Sequence, residues 1–181
     1  MNKHILFIQG GGGEEDYTAD AKLVASLKAS LGKDYVVHYP HLPNEDSPDF
    51  GRIKQIDKEI ARIKGAIILV GHSLGASMLL KYVSEKQVQK NIAGLFLIST
   101  PFWSGEEDWK QGLKLPRDFA EKIPKHIPVF LYHSMDDEEV PIRHLDIYAE
   151  HLPQATIHKI TAGGHQLNND LSMVAEDIES L

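Results

Sequence analysis

The stretch best suited to do chemistry is "GHSLGAS", Gly71 to Ser77. A serine stands between two glycines where an apolar run gives way to a helical pattern through Leu74, Met78 and Tyr82. A chain that turns so sharply from strand to helix raises the Ser73 hydroxyl above the sheet and strains the backbone there. Gly71 and Gly75 leave room where side chains would collide with the neighbouring strand and helix. The Leu74 amide falls at a helix N-terminus, where donors lack partners and negative charge is favoured. A serine hydroxyl is a poor nucleophile until a base takes its proton. The stretch therefore implies nucleophilic attack, provided a base and an acid stand nearby. The alternative is a tight turn with an idle serine.

Ten histidines are available, and those just past strand ends are the informative ones, because ligands sit beyond the carboxyl ends of strands in open α/β sheets. One apolar run ends in "HSMDDEEVP", with Asp136 and Asp137, and another in "TAGGHQL", with His165. Neighbours in an extended or turning segment point in different directions, so only one of the two aspartates can face His165. The other reads as a solvated loop residue. His72 sits at a packing or pocket-lining position, His133 ends a strand beside the acids and could line the site, and His158 reads as structural. No H-E-x-x-H or similar ligand spacing occurs, so no metal is expected.

The elements that must position these groups are short apolar runs with helical patterns between them. The runs are "HILFI", "YVVHY", "AIILVG", "IAGLFLIS", "IPVFLYH" and "ATIHKI". Most are continuous and rich in β-branched residues, as strands covered on both faces are. Leu23, Leu27 and Leu31 share a helical face that stops at Gly32. Ile53, Ile56, Ile60 and Ile63 share another that stops at Gly65. Leu167, Leu171, Val174, Ile178 and Leu181 predict a last helix. Strands alternating with helices imply a mostly parallel sheet of about six strands with helices on both faces, in one domain over residues 1–181. Pro101 to Pro116, "PFWSGEEDWKQGLKLP", is the long irregular stretch, and its aromatics either plug the core or wall a site.

Composition narrows the partners. The net charge of −7 and pI near 5.8 argue against a nucleic-acid surface, which wants a basic patch. The absence of cysteine removes disulfides, thiolate zinc and a cysteine nucleophile. No apolar run reaches membrane-spanning length, and the N-terminus is too weakly apolar for a signal-peptide core. A cytoplasmic protein without a membrane association is the expectation.

The glycine run in "ILFIQGGGGEED" lacks the lysine and hydroxyl of a P-loop, and the offsets of a dinucleotide fingerprint fall on Glu15 or Asp16. The acids "EED" repel phosphate but suit a helix start.

Taken with the chain order of serine, acid and histidine, "GHSLGAS", an S-x-x-D-x-x-V-P stretch from Ser134 to Pro141 and "GGH" at Gly163 to His165 carry a resemblance. The sequence resembles the α/β-hydrolases, and more narrowly the small, lid-poor serine hydrolases grouped with the retinoblastoma-binding serine hydrolase. The resemblance implies a three-layer α/β sandwich without a large cap, with Ser73 as nucleophile, His165 as base and Asp137 as orienting acid. Gln9-Gly10-Gly11 matches the family's His-Gly-x, with glutamine in place of histidine. The second oxyanion donor, beside the Leu74 amide, is then Gly11, or failing that Gly12. Gly12, His72, Phe102, Trp103 and Trp109 are expected to line the substrate site. The implied reaction is hydrolysis of a small ester or thioester through an acyl-enzyme, with no cofactor. A non-catalytic binding module, or an acyl transferase or amidase on the same residues, remains open.

Overall fold

The computed structural model describes residues 2–86, 88, 90–104 and 108–181, with only the backbone at 108 and 109. Among these residues one six-stranded sheet carries the fold, in the order β2-β1-β3-β4-β5-β6, with every neighbouring pair parallel. The strands are β1 Lys3–Ile8, β2 Tyr35–His38, β3 Ile67–His72, β4 Ile92–Ile98, β5 Val129–Ser134 and β6 Thr156–Ile160. The continuous apolar runs lie where both faces are covered: all six residues of β3 are buried, while edge strands β2 and β6 are half-buried.

Side chains alternate across the sheet, and this divides the core in two. Ile5 and Phe7 face α1 (Glu14–Ser30) and α6 (Ser172–Glu179), with Leu23, Leu27, Val174 and Ile178. Leu6 and Ile8 face the other layer, where α2 (Arg52–Arg62), α3 (Leu74–Glu85), α4 (Phe119–Lys122) and α5 (Arg143–His151) bring Ile56, Ile60, Leu79, Phe119 and Leu145. Leu23 and Leu27 are fully buried, and each contributes roughly 1.5–3 kcal/mol of burial.

Two expectations are corrected. The last helix does not run from Leu167. Residues 167–169 form a 3₁₀ turn in which Leu167, Asn168 and Asn169 all have positive φ, and α6 begins only at Ser172. Asparagine tolerates that left-handed backbone, and the Asn168 amide is drawn back to the Gly163 carbonyl at 2.7 Å. Residues 39–51 are a second long irregular segment. Pro40, Pro43 and Pro48 interrupt it, each removing an amide and fixing φ.

Register places the strand ends together. Ile8 pairs with Gly71, His72 with Ile98, and Ser134 with Ile160. The loops after β1, β3, β5 and β6 therefore emerge side by side at one edge. Among the described residues no helix is long and apolar enough to cross a membrane.

Candidate active site

Ser73 caps α3 with φ 50° and ψ −122°, a conformation that L-residues rarely adopt. The turn is forced by what surrounds it. A Cβ at Gly71 would come within 2.7 Å of the Ala76 Cα, and one at Gly75 would run into the Ile8 and Gln9 carbonyls. Bare backbone at both positions lets α3 start directly against β1, and the Ser73 amide is tied to the Ile98 carbonyl at 2.9 Å.

A cleft of about 440 Å³ opens over this turn. Ser73, His165, His72, Gly10, Gly11 and Leu74 line it, with Phe50, Trp103 and Leu113 as apolar walls and Asp16 and Glu139 among its polar lining. Gly12 and Phe102 are not among its lining residues. Phe102 instead packs edge-on to Tyr148, with ring centroids 5.4 Å apart, and its amide donates to His144 Nδ1 at 2.8 Å. The Trp103 indole donates to Ser77 Oγ at 2.9 Å. Trp109 is a site residue expected from sequence whose side chain lies outside the described atoms.

The histidine is held from its far side. His165 Nδ1 lies 2.9 Å from Asp137 Oδ2, while Asp137 Oδ1 accepts the Glu139 and Val140 amides, each at 2.9 Å. Burial alone would push the Asp137 carboxyl up. Hydrogen bonds from His133 and His165 and the Val140 amide outweigh it and hold the group well below the usual carboxylate range. His133 stands behind Asp137, 3.3 Å from Oδ2, and does not line the cleft. On the open side, His165 Nε2 is 3.6 Å from the carboxylate of Glu139, whose side chain is 72% exposed.

Asp136 is not the idle loop residue the sequence suggested. Its Oδ1 accepts the Ser134 hydroxyl and the amides of Gly163 and Gly164 at 3.0 and 2.8 Å. These bonds fasten the β5 exit to the loop that carries His165, and they hold the exposed carboxyl below its usual range, the Ser134 hydroxyl being the largest cause.

The glycine loop after β1 is anchored by buried polar groups. Gln9 is fully buried. Its side chain donates to the Gly11 carbonyl at 3.1 Å and accepts the Leu42 amide at 3.0 Å. Arg52, also fully buried, donates to the Gly11 carbonyl at 2.9 Å and to the Leu42 carbonyl. Burial pulls its pKa down to about 10, against the pull of Asp16 and Asp49. The Gly11 carbonyl is thus turned toward Arg52. Among the described residues neither the Gly11 nor the Leu74 amide is engaged. Gly12 abuts the Asn44 side chain, which a Cβ there would have to displace.

Asp20 and Arg52 went unnoticed in the sequence, although a signal exists. Asp20 shares a stripe with Leu23, Leu27 and Leu31, and Arg52 one with Ile56 and Ile60. A charge in an apolar stripe must find a partner when buried. For Asp20 that partner is His72, 2.9 Å away.

A larger cleft of about 560 Å³ at the opposite edge of the sheet is lined by Lys3, His4, Lys64, Ile68, Ala93 and Leu181 among others, with no serine or threonine among them.

Comparisons with known proteins bear on the family and the fold. The family model described as "Serine hydrolase" matches residues 26–172. The crystal structure of the ydeN gene product of B. subtilis superimposes with a TM-score of 0.71 at 19% identity, covering 99% of this chain and 98% of that one. A methylesterase from Arabidopsis does so with a TM-score of 0.70 at 13% identity, covering 99% and 100%. At these identities the likeness shows the fold, an α/β-hydrolase fold. A metal-dependent hydrolase of Pyrococcus horikoshii is 27% identical over 112 residues, 59% of this chain, and the match spans only 48% of that relative. Among the described residues no group of three or more His, Cys, Asp or Glu is placed to hold a metal ion.

Proposed function

The chain belongs to the serine hydrolase family, and on that premise we propose that it hydrolyses a small ester or thioester through an acyl-enzyme on Ser73. The observation that carries the reading is one cleft that joins Ser73 to His165 while His165 Nδ1 is fixed on Asp137. With Nδ1 committed to the carboxylate, Nε2 is the nitrogen left to take a proton. Ser73 Oγ attacks the carbonyl carbon as its proton passes to Nε2. The negative charge that develops on the carbonyl oxygen falls to the Leu74 and Gly11 amides, the first at a helix N-terminus. Collapse expels the alcohol or thiol, which takes the proton from Nε2. Water then attacks the acyl-enzyme by the same path and releases the acid. Asp137 stays ionised throughout, orienting the ring and stabilising the imidazolium.

Methyl-ester cleavage is the activity named for the Arabidopsis neighbour, and it belongs to the same reaction class.

Labelling with a fluorophosphonate tests the reading. The expected result is stoichiometric labelling of the wild-type protein that is lost in Ser73→Ala. A folded wild-type protein that stays unlabelled makes the chain a binding module on a hydrolase fold. Release of product only when an alcohol or amine is supplied makes it a transferase.

A further inference from the structure

The serine chemistry leaves one buried pair of titratable groups without a task. His72 lies in the apolar run of β3, and Asp20 in the apolar stripe of α1, exposed to 2% and 1%. His72 Nδ1 is 2.9 Å from Asp20 Oδ1, a close contact short of an aligned hydrogen bond. His72 Nε2 is 3.0 Å from the His165 carbonyl. Both ring nitrogens thus face oxygen acceptors, which a neutral imidazole cannot satisfy, since one of its nitrogens carries a lone pair.

We infer that Asp20 and His72 form a buried carboxylate–imidazolium pair that positions the oxyanion loop and the histidine loop around the nucleophile turn. The inference rests on the Ser73 reading above. Asp20 Oδ2 accepts the Gly10 amide at 2.7 Å, which fixes the residue before the proposed oxyanion donor. Asp20 Oδ1 accepts Gln166 Nε2 at 3.2 Å, and the His165 carbonyl that His72 holds also accepts the Ser99 hydroxyl at 2.9 Å. His72 itself directly precedes Ser73. One pair therefore touches the loops after β1, β3 and β6, whose relative placement sets the distances the reaction needs.

Stability alone is a poor reason for such a pair. Replacing a buried ion pair by apolar groups of similar volume is often neutral or stabilising, whereas removing one partner is costly. The titratable groups facing His72 are Asp20 from α1, His165, whose ring centroid is 4.7 Å away, and Asp137 from the loop after β5. Burial disfavours the imidazolium; the adjoining carboxylate of Asp20 and the His165 carbonyl favour it more, so the His72 pKa is raised.

Asp20→Asn and His72→Gln, singly and together, test the assignment, with active sites counted by fluorophosphonate titration. Each single variant is expected to lower kcat per labelled site about 10- to 100-fold with KM nearly unchanged, because the loss falls on the transition state. The double variant falls no further than the worse single one. Wild-type kcat declines at alkaline pH as His72 loses its proton, and that limb disappears in His72→Gln. Should the variants fail to fold, nitrogen-15 NMR of wild-type histidine rings reads the pair directly, with two ring N–H protons expected for His72 at neutral pH. A neutral His72 overturns the inference. So does wild-type kcat per labelled site in variants that only unfold at lower temperature. An unlabelled wild type overturns the Ser73 reading and this role with it; a labelled wild type with unaffected variants overturns this role alone.

Discussion

Asp136 and Asp137 are adjacent in the chain and serve different ends: Asp137 Oδ2 meets His165 Nδ1 at 2.9 Å, while Asp136 Oδ1 takes the backbone amides of Gly163 and Gly164. One aspartate orients the imidazole and its neighbour fastens the loop that carries it. The two asparagine variants should therefore differ widely. Asp137→Asn is expected to lower kcat about 10⁴-fold, by analogy with the orienting acid of a serine protease. Asp136→Asn keeps an acceptor for the two glycine amides and should lose little, whereas Asp136→Ala strips it and should fall between. Comparing kcat for the three variants decides the assignment; a crippled Asp136→Asn beside a normal Asp137→Asn reverses it.

Ser73→Ala should abolish hydrolysis of activated esters, with kcat down by about 10⁴-fold or more, while circular dichroism and the unfolding midpoint stay near wild type. Most of the activity surviving in the purified variant removes Ser73 from the mechanism.

The runs that became β1, β3, β4 and β5 were legible because strands covered on both faces must be apolar along their length. The turn at Ser73 was legible because a clash at Gly71 and Gly75 leaves glycine as the residue that fits. The 3₁₀ turn at Leu167 was not, since the apolar spacing of Leu167 and Leu171 continues through it and only the left-handed backbone of Leu167, Asn168 and Asn169 breaks the helix. Phe102 read as a cleft residue from its loop, but its ring is taken up by Tyr148 and His151 on another element. The anchors of the glycine loop were hidden for a similar reason. Asp20 and Arg52 stand out as charges within apolar stripes, but the stripe does not name their partners, and Gln9 reveals its role only when the loop after β1 meets the segment after β2.

The cleft should favour short acyl groups, because Phe50, Leu74, Trp103 and Leu113 close on a volume of about 440 Å³. In a series of p-nitrophenyl esters, kcat/KM is expected to peak at short chains. Trp103→Ala, which removes one wall, should move the optimum to longer ones. A wild-type optimum at long chains refutes the expectation.

Stability should fall at both ends of the pH range, for different groups. Asp137 and Asp20 have pKa values below the ordinary 3.8 in the folded protein. Their contribution is present above that value and is lost as pH falls through the depressed folded values. His72 has its pKa raised above 6.5. Its contribution is complete below 6.5 and is lost as pH rises through the higher folded value. Urea unfolding across pH should show both declines, and the alkaline one should be missing in His72→Gln. A wild-type curve that is flat from neutral to alkaline pH contradicts the His72 part.

The backbone at Ser73 sets durability against usefulness. A residue held at φ 50° and ψ −122° carries strain of about 1–3 kcal/mol, borne by the packing of β1 and α3 around it. Glycine meets no such penalty there, although its freer unfolded chain takes back roughly 0.5–1 kcal/mol. Ser73→Gly should then melt a few degrees above wild type, at about 2–4 °C per kcal/mol for a chain of this size, while hydrolysing nothing. Selection for heat resistance alone, applied to a library of this gene, would tend to enrich dead variants at this position. Thermal screening of the protein therefore needs an activity readout beside it.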